Sequence, residues 1–429
     1  MSADPPAAPP AAGRYRHFLI VSLLFSLTFG ALLGAATLAA LTAPWIGVAA
    51  LPGFAARVAH GHAQVFGFAA LFVMGVAYHA LPRIKATPLA HPRLAAASFW
   101  PQTLGVLAIA AGAFADAPLG GWLRTIGALG LVLGAAAFAR VVDATLRAGS
   151  ASPEGIDPWL RAGCAWLVIA ALLALAAAAG LPLMPAAWDA ALYGFVASWI
   201  LGLSLRMMPA FLRLQADRRG RGAIAVAYQA AVAAWVGVAA LWPWQTLPLA
   251  RAAAGLAIAG AVVVYVARLG LVGRAPLPDE RIGERFFDAA YGWLAVWLLC
   301  VPVWGGLAAL AGGDAPPPVT DFGRHAFTLG FLTQMIVGVA MRILPVLSGA
   351  TLWSRGWRTA TFWLLNATVA MRGLQVVVAL GGPPALWPWV ALSGALGIAA
   401  MTAFTVNLAM TLRGAGAGPP RLAPQARPA

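Results

Sequence analysis

Residues 67 to 82 read GFAALFVMGVAYHALP, and the same pattern returns as GFVASWILGLSLRMMP at 194 to 209 and as GFLTQMIVGVAMRILP at 330 to 345. Each copy opens on Gly-Phe, has a second glycine eight residues after the first, and ends on a proline seven residues later. Each copy is also predominantly apolar, and a copy falls on every fourth apolar run. A repeat of this period implies a chain built from three four-helix units.

Composition says what medium those helices occupy. Of 429 residues, 62% are hydrophobic and 10% charged, with a mean hydropathy of +0.83, which leaves too little polar surface for a soluble protein of this length. Apolar runs of about 20 residues are long enough to cross a hydrocarbon core as helices. Twelve such spans are expected, near 18–42, 57–82, 94–116, 120–146, 158–181, 188–212, 222–246, 250–274, 287–312, 322–347, 357–381 and 386–412. The fold class is therefore all-α, a polytopic membrane domain over 18–412, with repeat units near 18–146, 158–274 and 287–412. Residues 1–17 and 413–429, rich in Pro, Ala and Gly, read as disordered tails. The first span has about 25 apolar residues, which favours a retained anchor over a cleaved signal.

The net charge of +15 would suggest a nucleic-acid partner if the arginines were scattered. They are not. Arg14, Arg16, Arg83, Lys85, Arg93, Arg140, Arg147, Arg161, Arg213, Arg218, Arg219, Arg221, Arg268, Arg274, Arg281, Arg285, Arg355, Arg358 and Arg413 fall in connectors or span ends on one side of the membrane, against only scattered ones such as Arg57, Arg124, Arg251 and Arg324 on the other. The lipid bilayer is the partner this asymmetry implies, with both termini in the cytoplasm and no nucleic acid. Cys164 and Cys300 lie inside spans and indicate no thiolate metal cluster.

The repeated glycines and Pro82, Pro209 and Pro345 are explained by close helix packing and helix termination. The ionisable substitutions are not. His62 aligns with Asp189 and His325, and His79 aligns with Arg206 and Arg342. Ionisable groups at membrane depth are costly and mark sites or pathways. His62 and His325 lie at the same depth on different helices, the arrangement that axial haem ligation or a copper site requires. His60 is about 200° from His62 around a helix, so the two face different crevices. Gly67, seven residues on, leaves a groove below His60 for a flat ring. His79 is about 25 Å from His62 along the helix, too far to share its metal. Arg206 and Arg342 are candidates for holding haem propionates through their planar donor forks, with plain anchoring or a salt bridge as the competing role. Asp189 and Asp288 start spans and read as caps or interface charges, and His17 and His91 as interface residues.

HGHAQVFGFAALFVMGVAYHALP at 60–82 resembles the second-helix motif of the NnrS family, haem- and copper-containing membrane proteins linked to nitric oxide metabolism. His60, His62, Phe66, Gly67, Phe68, Gly75 and Pro82 carry that match. HAFTLGFLTQMIVGVAMR at 325–342 and RMMPAF at 206–211 are similar to its later motifs. The chain departs from the family at Ala63 and Gln64, at Asp288 before Tyr291, and in PVLSG at 345–349, which removes candidate ligands. The wider relative is subunit I of the haem-copper oxidases, with the same twelve-helix threefold plan. This chain has no histidine on spans six and seven and one on span ten, which argues against oxygen reduction of that type.

The resemblance implies a bacterial inner-membrane protein carrying haem, of b type, with copper as a further cofactor, acting in the nitric oxide response. His62 and His325 are its first-choice iron ligands and His60 a ligand or second metal position. A quinol or redox-protein electron donor and a gaseous ligand such as nitric oxide are the implied partners. Two alternatives stand beside it: a divergent oxidase-like electron carrier, and a transporter of metal or small molecules or a purely structural membrane protein. No paired interrupted helices speak for transport.

Overall fold

The computed structural model describes residues 15–42, 53–152, 154–272 and 282–414. Most of the two expected tails, with Arg14, Arg274 and Arg281, lies outside the described residues. Among the described residues there is no strand, and twelve helices are long and apolar enough to span a membrane. They are α1 (Arg16–Thr42), α2 (Gly53–Ile84), α3 (Pro92–Phe114), α4 (Leu119–Ala148), α5 (Asp157–Ala178) and α6 (Met184–Leu212). Then come α7 (Arg221–Leu241), α8 (Pro248–Leu269), α9 (Gly283–Leu310), α10 (Pro317–Leu347), α11 (Arg355–Ala379) and α12 (Pro384–Arg413). This is a multi-pass all-α membrane protein.

Some helices stop earlier than the apolar runs suggest, for local reasons. The run expected to 246 ends at Leu241, because Pro243 lacks an amide hydrogen and disfavours helix in the residue before it. The run expected to 274 ends at Leu269, where Gly270 takes a left-handed conformation (φ +80°) that closes the helix.

Packing follows the repeat. The third and fourth helices pair as α3 with α4, α7 with α8 and α11 with α12. The last helix of each set then packs on the first of the next, α4 on α5, α8 on α9 and α12 on α1, so the ring closes. The repeat helices α2, α6 and α10 are the inner ones: 72%, 67% and 72% of their most apolar windows are buried, against at most 50% for the other nine. Large apolar side chains such as Leu104, Ile126, Leu133 and Val263 are exposed on the outer helices, where lipid replaces water.

The repeated glycines show how each inner helix is seated. A Cβ on Gly75 would lie 2.7 Å from Phe18 Cβ, one on Gly202 2.6 Å from Trp159 Cβ, and one on Gly338 2.9 Å from Phe286 Cβ. One turn pair earlier, Gly67, Gly194 and Gly330 meet Phe25, Trp166 and Trp293 in the same way. Two aromatics seven residues apart on α1, α5 or α9 thus press into two glycines on α2, α6 or α10. With no hydrophobic drive between helices in lipid, such close van der Waals contact is what fixes them. The groove expected below His60 at Gly67 is accordingly filled by the Phe25 ring and is not open to a cofactor.

Lys85 is a second correction. It counts among the basic residues of one membrane face, where a cation is ordinarily solvated, yet its ammonium is fully buried, 2.9 Å from Asp157 and 3.1 Å from Ser152 Oγ. Ser150 N–H also donates to the Lys85 carbonyl at 3.0 Å. The end of α2 is thereby tied to the start of α5, joining the first unit to the second.

Two outcomes follow. Gly202→Ala should lower unfolding stability by about 1–3 kcal/mol, since Trp159 Cβ is fixed directly to the backbone of a packed helix and cannot rotate away; Gly237→Ala, with open space around it, should be neutral or gain up to about 1 kcal/mol. Lys85→Ala should cost about 3–5 kcal/mol by leaving Asp157 unpaired, and the paired change Lys85→Met with Asp157→Leu should recover most of it; thermal melts in one detergent measure both.

Candidate functional site

The backbone widens at the same place on all three inner helices. A π-helical segment runs Ala63–Ala70 in α2, Ala190–Val196 in α6 and Ala326–Thr333 in α10. His62, Asp189 and His325 each stand immediately before one. Such wide turns are rare and concentrate at functional sites, because they re-aim the side chains around them. In α10 the Thr333 hydroxyl donates to the Thr328 carbonyl at 2.9 Å, one residue farther back than a regular helix would place its partner. Further π segments occur at Ser26–Leu32 in α1 and Leu299–Val303 in α9.

All three histidines near this level are anchored by one nitrogen. His60 Nδ1 is 2.9 Å from the Gly30 carbonyl within the wide segment of α1. His62 Nδ1 is 2.8 Å from the Val58 carbonyl, and His325 Nδ1 2.8 Å from the Asp321 carbonyl. A carbonyl oxygen can only accept, so each Nδ1 carries the proton and Nε2 holds the lone pair of the neutral ring. That is the tautomer a metal ligand needs.

Their surroundings then separate them. His60 faces α1, where a Cβ on Gly34 would come within 2.7 Å of its ring. His325 lies close enough to His60 for the two imidazoles to interact electrostatically. His62 is turned elsewhere: it is 1% exposed, stacked on Phe66 at 5.6 Å and edge-on to Trp188 of α6 at 6.2 Å. The 200° separation of His60 and His62 thus holds along one continuous helix, and the imidazole within electrostatic reach of His325 is His60. Among the described residues no three His, Cys, Asp or Glu side chains form a metal-sized cluster.

A carboxylate clamps His325 in place. Asp321 Oδ1 is 3.5 Å from its Nδ1, and Asp321 Oδ2 accepts from Arg372 Nη2 and Gln375 Nε2 of α11, both at 2.8 Å. Gln375 Nε2 also donates to the Pro318 carbonyl at 2.7 Å. Sequence reasoning passed over Asp321, Arg372 and Gln375. The one available signal was the four-residue spacing of Asp321 and His325, which stacks them on one helix face; Arg372 is 51 residues away in the chain.

In the second unit Asp189 takes the histidine's place and is satisfied structurally. Its Oδ2 accepts from Trp235 Nε1 at 2.9 Å, and Arg324 and Arg251 supply opposite charge. Arg251 lies over the Trp235 and Trp242 rings at 5.7 and 4.6 Å. A buried carboxylate at membrane depth demands that compensation.

Arg206 and Arg342 sit at the other end of the inner helices. Arg206 pairs with Glu154 at 3.4 Å, and Arg342 with Glu284 at 2.8 Å while lying 4.2 Å over the Phe211 ring. Each is seventeen residues beyond its helix's Asp189 or His325, about 25 Å along the axis. The histidine level is out of their reach, and the role the structure shows for them is the salt bridge. His79, at the same level, keeps electrostatic contact with Arg83 and Arg16. His17 packs edge-on to Phe99 at 4.5 Å, and His91 is a left-handed residue (φ 49°) before α3.

No curated protein matches the chain. A family model described as NnrS protein matches residues 16–415, which takes in every helix that carries the anchored histidines, the wide turns and the glycine seats. The chain belongs to the NnrS family.

Proposed function

We propose that this protein is a haem-carrying membrane protein of the nitric oxide response, with its iron held between His60 of α2 and His325 of α10. The observation that carries the proposal is the shared tautomer: three imidazoles at one level, each with Nδ1 donated to a carbonyl and Nε2 left as a ligand. Two opposed imidazoles are a sufficient protein ligand set for haem, whereas a dedicated copper centre calls for a larger cluster. His62, in its aromatic enclosure of Phe66 and Trp188, is the candidate for copper or for a second metal position. When bound, the haem would supply a redox-active iron centre able to pass an electron, with a quinol or redox protein as donor, and able to take up nitric oxide only in place of one of the two imidazoles. The chain's own contribution is to hold the ligand rings. Asp321, Arg372 and Gln375 fix His325, and Gly30 and Gly34 seat His60. We place the arginine-rich face in the cytoplasm of a bacterium and the histidines in the outer half of its inner membrane.

The protein purified from membranes should show a Soret band, with near-complete loss in His60→Ala and in His325→Ala and retention in His62→Ala, Arg206→Gln and Arg342→Gln. Absence of any Soret band, or loss confined to His62→Ala, would refute the assignment.

The clamp has its own signature. Asp321→Ala and Arg372→Ala should each weaken haem retention about 10- to 100-fold while leaving the helical content unchanged, since residues that orient a ligand act on affinity through it. Titration of haem into the stripped variants, followed optically, measures the change.

A further inference from the structure

Below the histidines the three inner helices enclose a cavity of ≈ 80 Å³. Its walls repeat with the sequence. Phe72, Trp199 and Met335 close one end and are equivalent positions of the three copies, at most 3% exposed. Ala77, Ser204 and Ala340, again equivalent, form the middle. At the far end, toward the arginine-rich face, Ala80, Met207 and Ile343 are half-buried, so the cavity is a blind vestibule along the axis where the three helices meet. Its closed end lies ten residues past His62, about 15 Å along the helix.

The lining dictates what can occupy it. Water in a buried cavity needs two to four polar partners, and apolar cavities of about 150 Å³ stay dry and take up benzene or xenon. Among the lining side chains only two carry a polar atom, the hydroxyl of Ser204 and the indole nitrogen of Trp199; the rest is carbon and sulfur. Ser204 is fully buried. The buried Tyr291 hydroxyl stands close enough to be its partner. Ordinary pockets for drug-sized ligands run to about 300–1,000 Å³, so this one suits a guest of two or three heavy atoms.

We propose that this axial cavity binds a small uncharged molecule with an apolar body and at most one weak hydrogen-bonding end, the class of dissolved diatomic gases, entering from the arginine-rich face. Ala77 and Ala340 leave the room, where their helices could have carried larger residues, and Ser204 supplies a weak polar contact at mid-height. The site stands on its own lining and does not depend on the haem.

Crystals of the full chain pressurised with xenon test it by anomalous diffraction. Xenon should appear between Ala77, Ser204 and Ala340, fall to background in Ala340→Phe, weaken in the milder Ala340→Val, and remain in Gly237→Ala. It should also remain in His325→Ala, so a failure of the haem assignment would leave this result intact. No xenon in the wild-type cavity, a lipid or detergent chain filling it, or an ordered water bridging Ser204 and Tyr291 and excluding xenon would each overturn the proposal.

Discussion

Everything else in this fold depends on one contact made three times: two aromatic side chains on the first helix of each unit pressed into two glycines on the second. Phe18 and Phe25, Trp159 and Trp166, and Phe286 and Trp293 occupy space that any side chain on Gly75, Gly67, Gly202, Gly194, Gly338 or Gly330 would claim. In lipid, where burying apolar surface gains nothing over leaving it in the bilayer, such complementarity decides depth and rotation. Two aromatics two turns apart fix both at once. Each inner helix is thereby set with its polar residue at one level, its alanine or serine at a second and its terminal cation or histidine at a third.

The three levels then solve three different problems. At the top, a polar ring nitrogen in a dry interior must find a partner, and a carbonyl takes each Nδ1. The wide turns that follow His62, Asp189 and His325 re-aim the backbone there, and the second unit shows what the position looks like without an imidazole: a carboxylate hydrogen-bonded by Trp235 and faced by the charge of Arg324. In the middle, small residues leave an axial void. At the bottom, Glu154 and Glu284 hold Arg206 and Arg342, and Lys85 with Asp157 joins two units. One pattern of sequence thus serves a site, a cavity and a set of ties, separated along a single helix.

Much of this was legible in the chain because it is local or periodic. Span number, the repeat and the levels of His62, Asp189 and His325 follow from hydropathy and from fixed spacing between glycine and proline, and the opposed directions of His60 and His62 follow from helix geometry. What escaped is non-local or irregular. Phe18, Trp159 and Phe286 carry no punctuation that marks them as equivalent, so the filling of the Gly67 groove by Phe25 could not be foreseen. A π segment leaves no trace in an apolar run, since its residues are as hydrophobic as those of a regular helix. Asp321 and Arg372 meet from two spans, and Gly30 reaches His60 across thirty residues. Lys85 looked like an anchor because a cation after a span usually is one; its burial depends on Asp157, which belongs to the next unit.

The central claim is that anchored imidazoles at the head of wide turns present their Nε2 atoms to a metal-bearing group. A cryo-EM map of the protein purified from its own membrane, without added ligand, tests it most directly. The account predicts planar density between α2 and α10, in contact with Nε2 of His60 and of His325, with Nδ1 of each still on the Gly30 and Asp321 carbonyls. Density at that level showing both Nε2 atoms bonded to protein groups, with regular α-helix through 63–70 and 326–333, would contradict it.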